Sequence, residues 1–147
     1  MASINPYLTF NGNTEEAFNF YKTVFGGEFA GPGINRFKDT PGCEHMSAED
    51  QQKVMHVALP IGNGDLLMAS DYVEGMGALF AAGNNFSIAL APETEQEARK
   101  LFDALSAGGN VVMPLEKTSW AALFGMLTDK FGIQWMVNYD DGQSSQE

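Results

Sequence analysis

Few side chains in this 147-residue chain can do acid, base, nucleophile or metal chemistry. They are two histidines, one cysteine and 19 carboxylates against eight Lys and Arg. Cys43, Glu44 and His45 are consecutive, and Cys-x-His is a spacing that a thiophilic metal accepts. A zinc or iron site needs a third and fourth donor, however, and the other histidine, His56, lies in a different kind of segment. The 43–45 run therefore reads as a polar loop. His56 falls in Lys53-Val-Met-His-Val-Ala-Leu-Pro-Ile61, where Met55, Val57, Leu59 and Ile61 alternate with His56, Ala58 and Pro60. A histidine on the less apolar side of such a strand is a hydrogen-bonding partner or a general base near neutral pH, and His56 is the candidate catalytic residue. Ser70 and Ser87 are the hydroxyls that parity sets on comparable strand faces.

Phosphate and nucleotide chemistry have no foothold. Gly62-Asn63-Gly64 lies between two strand patterns and reads as a hairpin turn. Of the strand-to-helix turns, Asn11-Gly12-Asn13 holds a single glycine and Pro92-Glu93-Thr94 none, so the Rossmann and P-loop fingerprints are missing. The formal net charge of −11 and the scatter of Lys and Arg along the chain exclude a nucleic-acid surface. The same acidity disfavours anionic membranes, and no apolar run is long enough to span one. One cysteine cannot form an internal disulfide, and residues 1–10 carry neither a basic region nor a long apolar stretch, so the expected location is cytoplasmic.

The elements that must position these residues occur twice. A strand at 4–10 has Leu8 and Phe10 on one side and Tyr7 and Thr9 on the other. Asn13 is the expected cap of a helix running to about Phe25, with Glu16 completing a capping box and Gly26-Gly27 ending it. Strands are expected at 28–38, weakened by Gly31, Pro32 and Gly33, then at 53–61 and 65–70, with a long loop at 39–52. A strand at 86–91 follows a Gly- and Ala-rich connection at 72–84, and Thr94 caps a second helix closed by Gly108-Gly109. Strands at 111–116, 120–128 and 133–139 complete the plan. The helix stripe Ala17, Phe20, Tyr21, Val24 recurs 81 residues later as Ala98, Leu101, Phe102, Leu105. This is an internal duplication of a strand–helix–strands unit. The fold class is α+β, a single domain over 1–147 made of two βαβββ modules, 4–71 and 85–139, that form a curled mixed sheet with outer helices; 140–147 is a polar tail.

The residues that open each unit resemble a known family. Asn5-Pro-Tyr-Leu-Thr-Phe10, Ala17-Phe-Asn-Phe-Tyr21 and Phe25-Gly-Gly27 look like the start of a vicinal oxygen chelate module, the glyoxalase/bleomycin-resistance/extradiol-dioxygenase superfamily. His56-Val-Ala-Leu59, Leu67-Met-Ala-Ser-Asp71, Phe124-Gly125 and Thr128-Asp-Lys-Phe-Gly-Ile-Gln-Trp-Met136 resemble its PhnB-like branch, which often carries a demethylubiquinone methyltransferase-type label. The resemblance covers about residues 4–139. It implies the glyoxalase-like fold, a homodimer, and in the enzymes a divalent metal held by His, Glu or Gln on the first and last strands of each module. Parity and the repeat put Tyr7, Met68, Ser87 and Met136 at those four positions, with Ser70 matched to Asn138. Thioethers and neutral hydroxyls are poor ligands for such cations, so no metal or other cofactor is expected. The expected function is binding of a small, partly apolar molecule. Tyr7, Thr9, Met68, Ser70, Ser87, Met136 and Asn138 line the site, and Trp120 and Phe124, on one strand face, supply aromatic surface, with Trp135 turned to the core. The alternative is a metal-dependent or His56-assisted lyase, isomerase or dioxygenase-type enzyme. Methyl transfer is not expected, for want of a glycine-rich cofactor turn.

Overall fold

The computed structural model describes residues 2–142. The polar tail expected at 140–147 lies largely outside them, and its described part, 140–142, has no regular structure. The chain divides into two compact units, Met1–Ala81 and Ala82–Glu147.

The first unit runs β1 (Tyr7–Phe10), α1 (Thr14–Phe25), β2 (Asn35–Arg36), a 3-10 turn (Phe37–Asp39), the short helix α2 (Ala48–Gln51), β3 (Val54–Ile61) and β4 (Asp65–Asp71). The second runs β5 (Ile88–Leu90), α3 (Glu95–Ser106), β6 (Asn110–Glu116), β7 (Leu123–Thr128) and β8 (Gln134–Tyr139). The sheet orders are β1-β4-β3-β2 and β5-β8-β7-β6. In each, the first strand lies parallel to the last and the other pairs are antiparallel. Two identical strand orders are the structural form of the duplication that the helix stripes announced.

Each sheet packs its helix on one face. α1 lies on β3 and β4, and α3 on β7 and β8. Ala17, Phe18 and Tyr21 of α1 are fully buried with Val57, Leu59, Leu67 and Ala69. Burying each large side chain in this set contributes roughly 1.5–3 kcal/mol. In the second unit Ala98, Phe102 and Leu105 are buried with Leu127, Trp135 and Val137. Phe102 needs Gly125 beneath it: a Cβ there would come within 2.6 Å of the Phe102 ring and 3.0 Å of Leu115 Cα.

Several sequence expectations change. The strand expected over 28–38 shrinks to Asn35–Arg36, because Gly31 and Gly33 adopt positive φ and turn the chain. The 39–52 loop contains α2, capped by Ser47 Oγ accepting from Asp50 N at 3.1 Å. Phe20 and Val24 are only half-buried, and Phe18 takes the central place in the α1 core. Asn13, the expected cap, makes no side-chain cap hydrogen bond. A carboxylate from β4 replaces it: Asp71 Oδ1 accepts from Thr14 N at 3.0 Å and Thr14 Oγ1 at 2.6 Å, while Oδ2 accepts from Val54 N at 2.9 Å. One buried side chain thus ties α1, β3 and β4 together. The second helix follows expectation, with Thr94 Oγ1 accepting from Glu97 N at 3.0 Å.

Candidate functional site

The first unit leaves one sheet face without a helix. The registers Tyr7↔Met68, Thr9↔Ser70 and Ala58↔Met68 put Tyr7, Thr9, Met68 and Ser70 on that face, and the pairing Val57↔Ala69 sets His56 beside Ser70. The alternation read from the sequence holds: the intervening Leu8, Phe10, Val57, Leu67 and Ala69 are core. His56, Met68 and Ser70 are half-buried and Tyr7 is 49% exposed. Tyr7 Oη lies 3.4 Å from His56 Nδ1, and the two rings are 5.8 Å apart and inclined by 30°. At the end of the same sheet, where β4 leaves it, an open groove of about 460 Å³ is lined by Phe37, Met55, Val73 and Met76, with Ser70 and Asp71 at its polar side. Ser70 therefore belongs to both the open face and the groove.

Of the groove residues, sequence reasoning found only Ser70. Phe37 fell in a supposed weak strand, Val73 and Met76 in a supposed plain connection, and Met55 was assigned to the core side. The signal available was a pair of methionines and a phenylalanine flanking a strand end, which periodicity alone does not mark as a concavity.

In the second unit the corresponding face carries Phe124 and Met136, and Asn138 is paired across the ladder with Phe124. Trp120 does not lie on β7, which begins at Leu123. It is 52% exposed, yet its ring still meets Phe124 edge-on at 5.3 Å. Trp135 is fully buried on the helix side, as its parity required. Among the described residues Asn138 Oδ1 is buried without a hydrogen-bond partner. The β5–β8 register corrects one position: Met136 pairs with Ala89, as Met68 pairs with Tyr7, so the residue equivalent to Tyr7 is Ala89. Ser87 precedes the strand by one residue. The slip is two residues, which keeps the face and changes the identity.

The divalent metal that the sequence resemblance implies for the enzymes finds no fitting donors at the matching positions of either unit. Tyr7, Met68, Ala89 and Met136 offer a phenol, two thioethers and a methyl group. Among the described residues no group of three or more His, Cys, Asp or Glu side chains is placed to hold a metal ion. Cys43 and His45 belong to no such group. Among the same residues no helix is long and apolar enough to cross a membrane.

Similarity to known proteins follows the same lines. The Escherichia coli K12 protein YjdN is 30% identical over 151 residues, 97% of this chain and 99% of that protein. The crystal structure of PA1353 from Pseudomonas aeruginosa shares 41% identity at a TM-score of 0.82, covering 95% of this chain and 98% of that one. At the level of fold alone, a glyoxylase/bleomycin resistance protein/dioxygenase domain from Frankia sp. EAN1pec aligns over 95% of this chain and 98% of that one at 12% identity and a TM-score of 0.64. A family model described as 3-demethylubiquinone-9 3-methyltransferase matches residues 2–138. With that match spanning both βαβββ units, the chain belongs to the 3-demethylubiquinone-9 3-methyltransferase family, on a glyoxalase-like fold.

Proposed function

We propose that the protein binds a small, partly apolar molecule at the first unit, with the apolar body in the Phe37–Met55–Val73–Met76 groove and the polar end toward Ser70 and His56. The observation that carries this reading is the groove itself: an apolar concavity with the Ser70 hydroxyl at its polar side is the usual composition of a small-molecule site, and His56 is the cross-strand neighbour of that serine. Methionines suit such a lining because an unbranched thioether adapts to varied shapes. The second unit, by itself, presents Phe124, Trp120 and Met136 as an apolar surface.

Methyl transfer, despite the family description, finds no support in these residues. The β1–α1 turn has one glycine, Gly12, and the β5–α3 turn none, where a methyl donor's nucleotide wants a glycine-rich cradle. We also infer a homodimer. The edge strand β6 is exposed along nearly its whole length, including Val111, Val112 and Met113, and an unprotected apolar edge strand invites a second copy. A cytoplasmic location fits a single free thiol, Cys43.

Thermal denaturation against a metabolite panel tests the binding reading. A ligand at about 100 times its Kd stabilises by about 2.7 kcal/mol, which raises Tm by roughly 5–10 °C for a chain of this length. Ser70→Phe, which fills the polar side of the groove, should abolish the shift and leave the unliganded Tm within a few degrees. A ligand whose shift survives Ser70→Phe binds elsewhere and refutes this placement. Stoichiometric zinc, nickel, iron or manganese in purified protein would restore the enzyme alternative.

A further inference from the structure

We propose that Tyr7 is a positioning residue that holds His56 in the tautomer protonated at Nε2, so that the site offers its ligand a hydrogen-bond donor and selects a neutral molecule bearing a carbonyl-type oxygen. The inference rests on the binding reading above for its ligand and on the Tyr7–His56 pair for its chemistry. The Tyr7 oxygen approaches Nδ1, not Nε2, at 3.4 Å. A phenol carries one acidic O–H, and a neutral imidazole carries one basic ring nitrogen. Of the two ways to fill the contact, O–H to Nδ1 joins the better donor to the better acceptor. The reverse would spend the imidazole N–H on a weakly basic phenol oxygen. Once Nδ1 accepts, the remaining proton sits on Nε2.

The rest of the face agrees. Ser70 is the cross-strand neighbour of His56 on this face, Thr9 lies beyond Ser70 on the next strand, and both hydroxyls are able to donate. With Nε2–H the pair His56 and Ser70 presents two neighbouring donors, complementary to an oxygen with two lone pairs, and Thr9 extends the row. A carboxylate would satisfy the same donors, but a chain with a net charge of −11 repels anions, so a neutral carbonyl, amide or quinone-type oxygen is the class selected. This assignment also gives His56 a role different from a general base, since the lone pair that would take a proton is occupied by Tyr7.

The test is nitrogen-15 spectroscopy of the full chain labelled at histidine, recorded well above the imidazole titration range. Only His45 and His56 contribute, and His45 serves as the internal control. The expected spectrum shows His56 with a pyrrole-type Nε2 and a pyridine-type Nδ1. Tyr7→Phe keeps the ring and removes the O–H; it should draw the two His56 resonances toward each other and leave His45 unchanged. Circular dichroism checks that the variant is folded, and Tyr7 is half exposed, so the substitution is mild. Titration with N,N-dimethylacetamide, which accepts and cannot donate, should move Nε2 in the wild type, whereas trifluoroethanol should not. A wild-type proton on Nδ1, or a Tyr7→Phe spectrum identical to wild type, overturns the tautomer assignment whether or not anything binds. A response to trifluoroethanol and none to dimethylacetamide overturns the ligand class. A panel that yields no thermal shift while the tautomer is as stated removes the binding reading alone.

Discussion

Replacing Asp71 with asparagine tests whether one carboxylate joins three elements of the first unit. In the native protein its two oxygens take three hydrogen bonds, from Thr14 N, Thr14 Oγ1 and Val54 N, in a site that is almost wholly buried. An asparagine keeps a single oxygen, enough for the two Thr14 donors. It then turns its amide N–H₂ toward the Val54 N–H, donor against donor. One charge-assisted hydrogen bond is lost, about 1.5–3 kcal/mol, and a buried donor is left without an acceptor, about 1–3 kcal/mol. Release from burying a charge offsets part of this. The expected net loss is about 3 kcal/mol. With a urea dependence of about 2 kcal/mol per molar, the unfolding midpoint falls by about 1.5 M. The assay is equilibrium urea denaturation followed by far-ultraviolet circular dichroism. Two controls frame it. Asn13→Ala, at a cap position whose side chain makes no cap bond, should change stability by less than about 0.5 kcal/mol. Thr94→Ala, which removes a local cap, should cost about 1 kcal/mol. If Asp71→Asn and Asn13→Ala shift the midpoint equally, the long-range cap is not what holds the start of α1.

Three further outcomes are expected. Gly125→Ala forces a Cβ to within 2.6 Å of the Phe102 ring and should cost about 1–3 kcal/mol in denaturant titration; a neutral result would mean that α3 shifts freely on β7. Asn138→Leu removes the unpartnered Oδ1 and should raise stability by about 1 kcal/mol, read as a Tm increase of roughly 2–4 °C; a lower Tm would show that the amide has a partner worth more than its desolvation. Lys53 has a pKa raised above 10.5, first by its hydrogen bond to Asp50, against the opposing effect of burial and with the charges of Asp50, Glu49 and Asp71 adding. A raised folded-state pKa gives a stabilising contribution that is complete below the unfolded value and lost as pH rises through the folded one. Lys53→Met should therefore flatten the alkaline decline in stability above about pH 10.5, and an unchanged decline would refute the assignment.

The sequence made the repeated architecture legible because both signals were local. Alternation of Tyr7 and Thr9 against Leu8 and Phe10, and the helical spacing shared by Ala17/Ala98 and Tyr21/Phe102, depend only on near neighbours. Parity also placed His56, Met68 and Ser70 on one face and Trp135 in the core. What escaped depended on distance or on length. The Asp71 cap joins residues 57 positions apart, so no window centred on Asn13 reveals it. The Ser87 assignment failed because the β5–α3 connection is one residue shorter, relative to the strand register, than the β1–α1 connection; the helices repeat at 81 and the strand pairs at 82. Parity survives a slip of two, and identity does not. Trp120 lost its strand because Thr118 bends the chain first, its hydroxyl accepting from Ala121 N at 3.1 Å. The groove was invisible for a different reason: a concavity is a property of three segments meeting, and each alone reads as ordinary packing.

Trp120 and Trp135 differ in surroundings as much as two indoles in one unit can. The first is half in water against Phe124, and the second is sealed with its Nε1 donating to Asp129 Oδ2 at 2.8 Å. Their emission should therefore separate cleanly under acrylamide, a quenchable red-shifted component from Trp120 and a shielded blue one from Trp135. The protein thus carries two optical reporters without any label: the accessible one answers to occupancy of the aromatic surface, and the sealed one to loss of the β7–β8 turn.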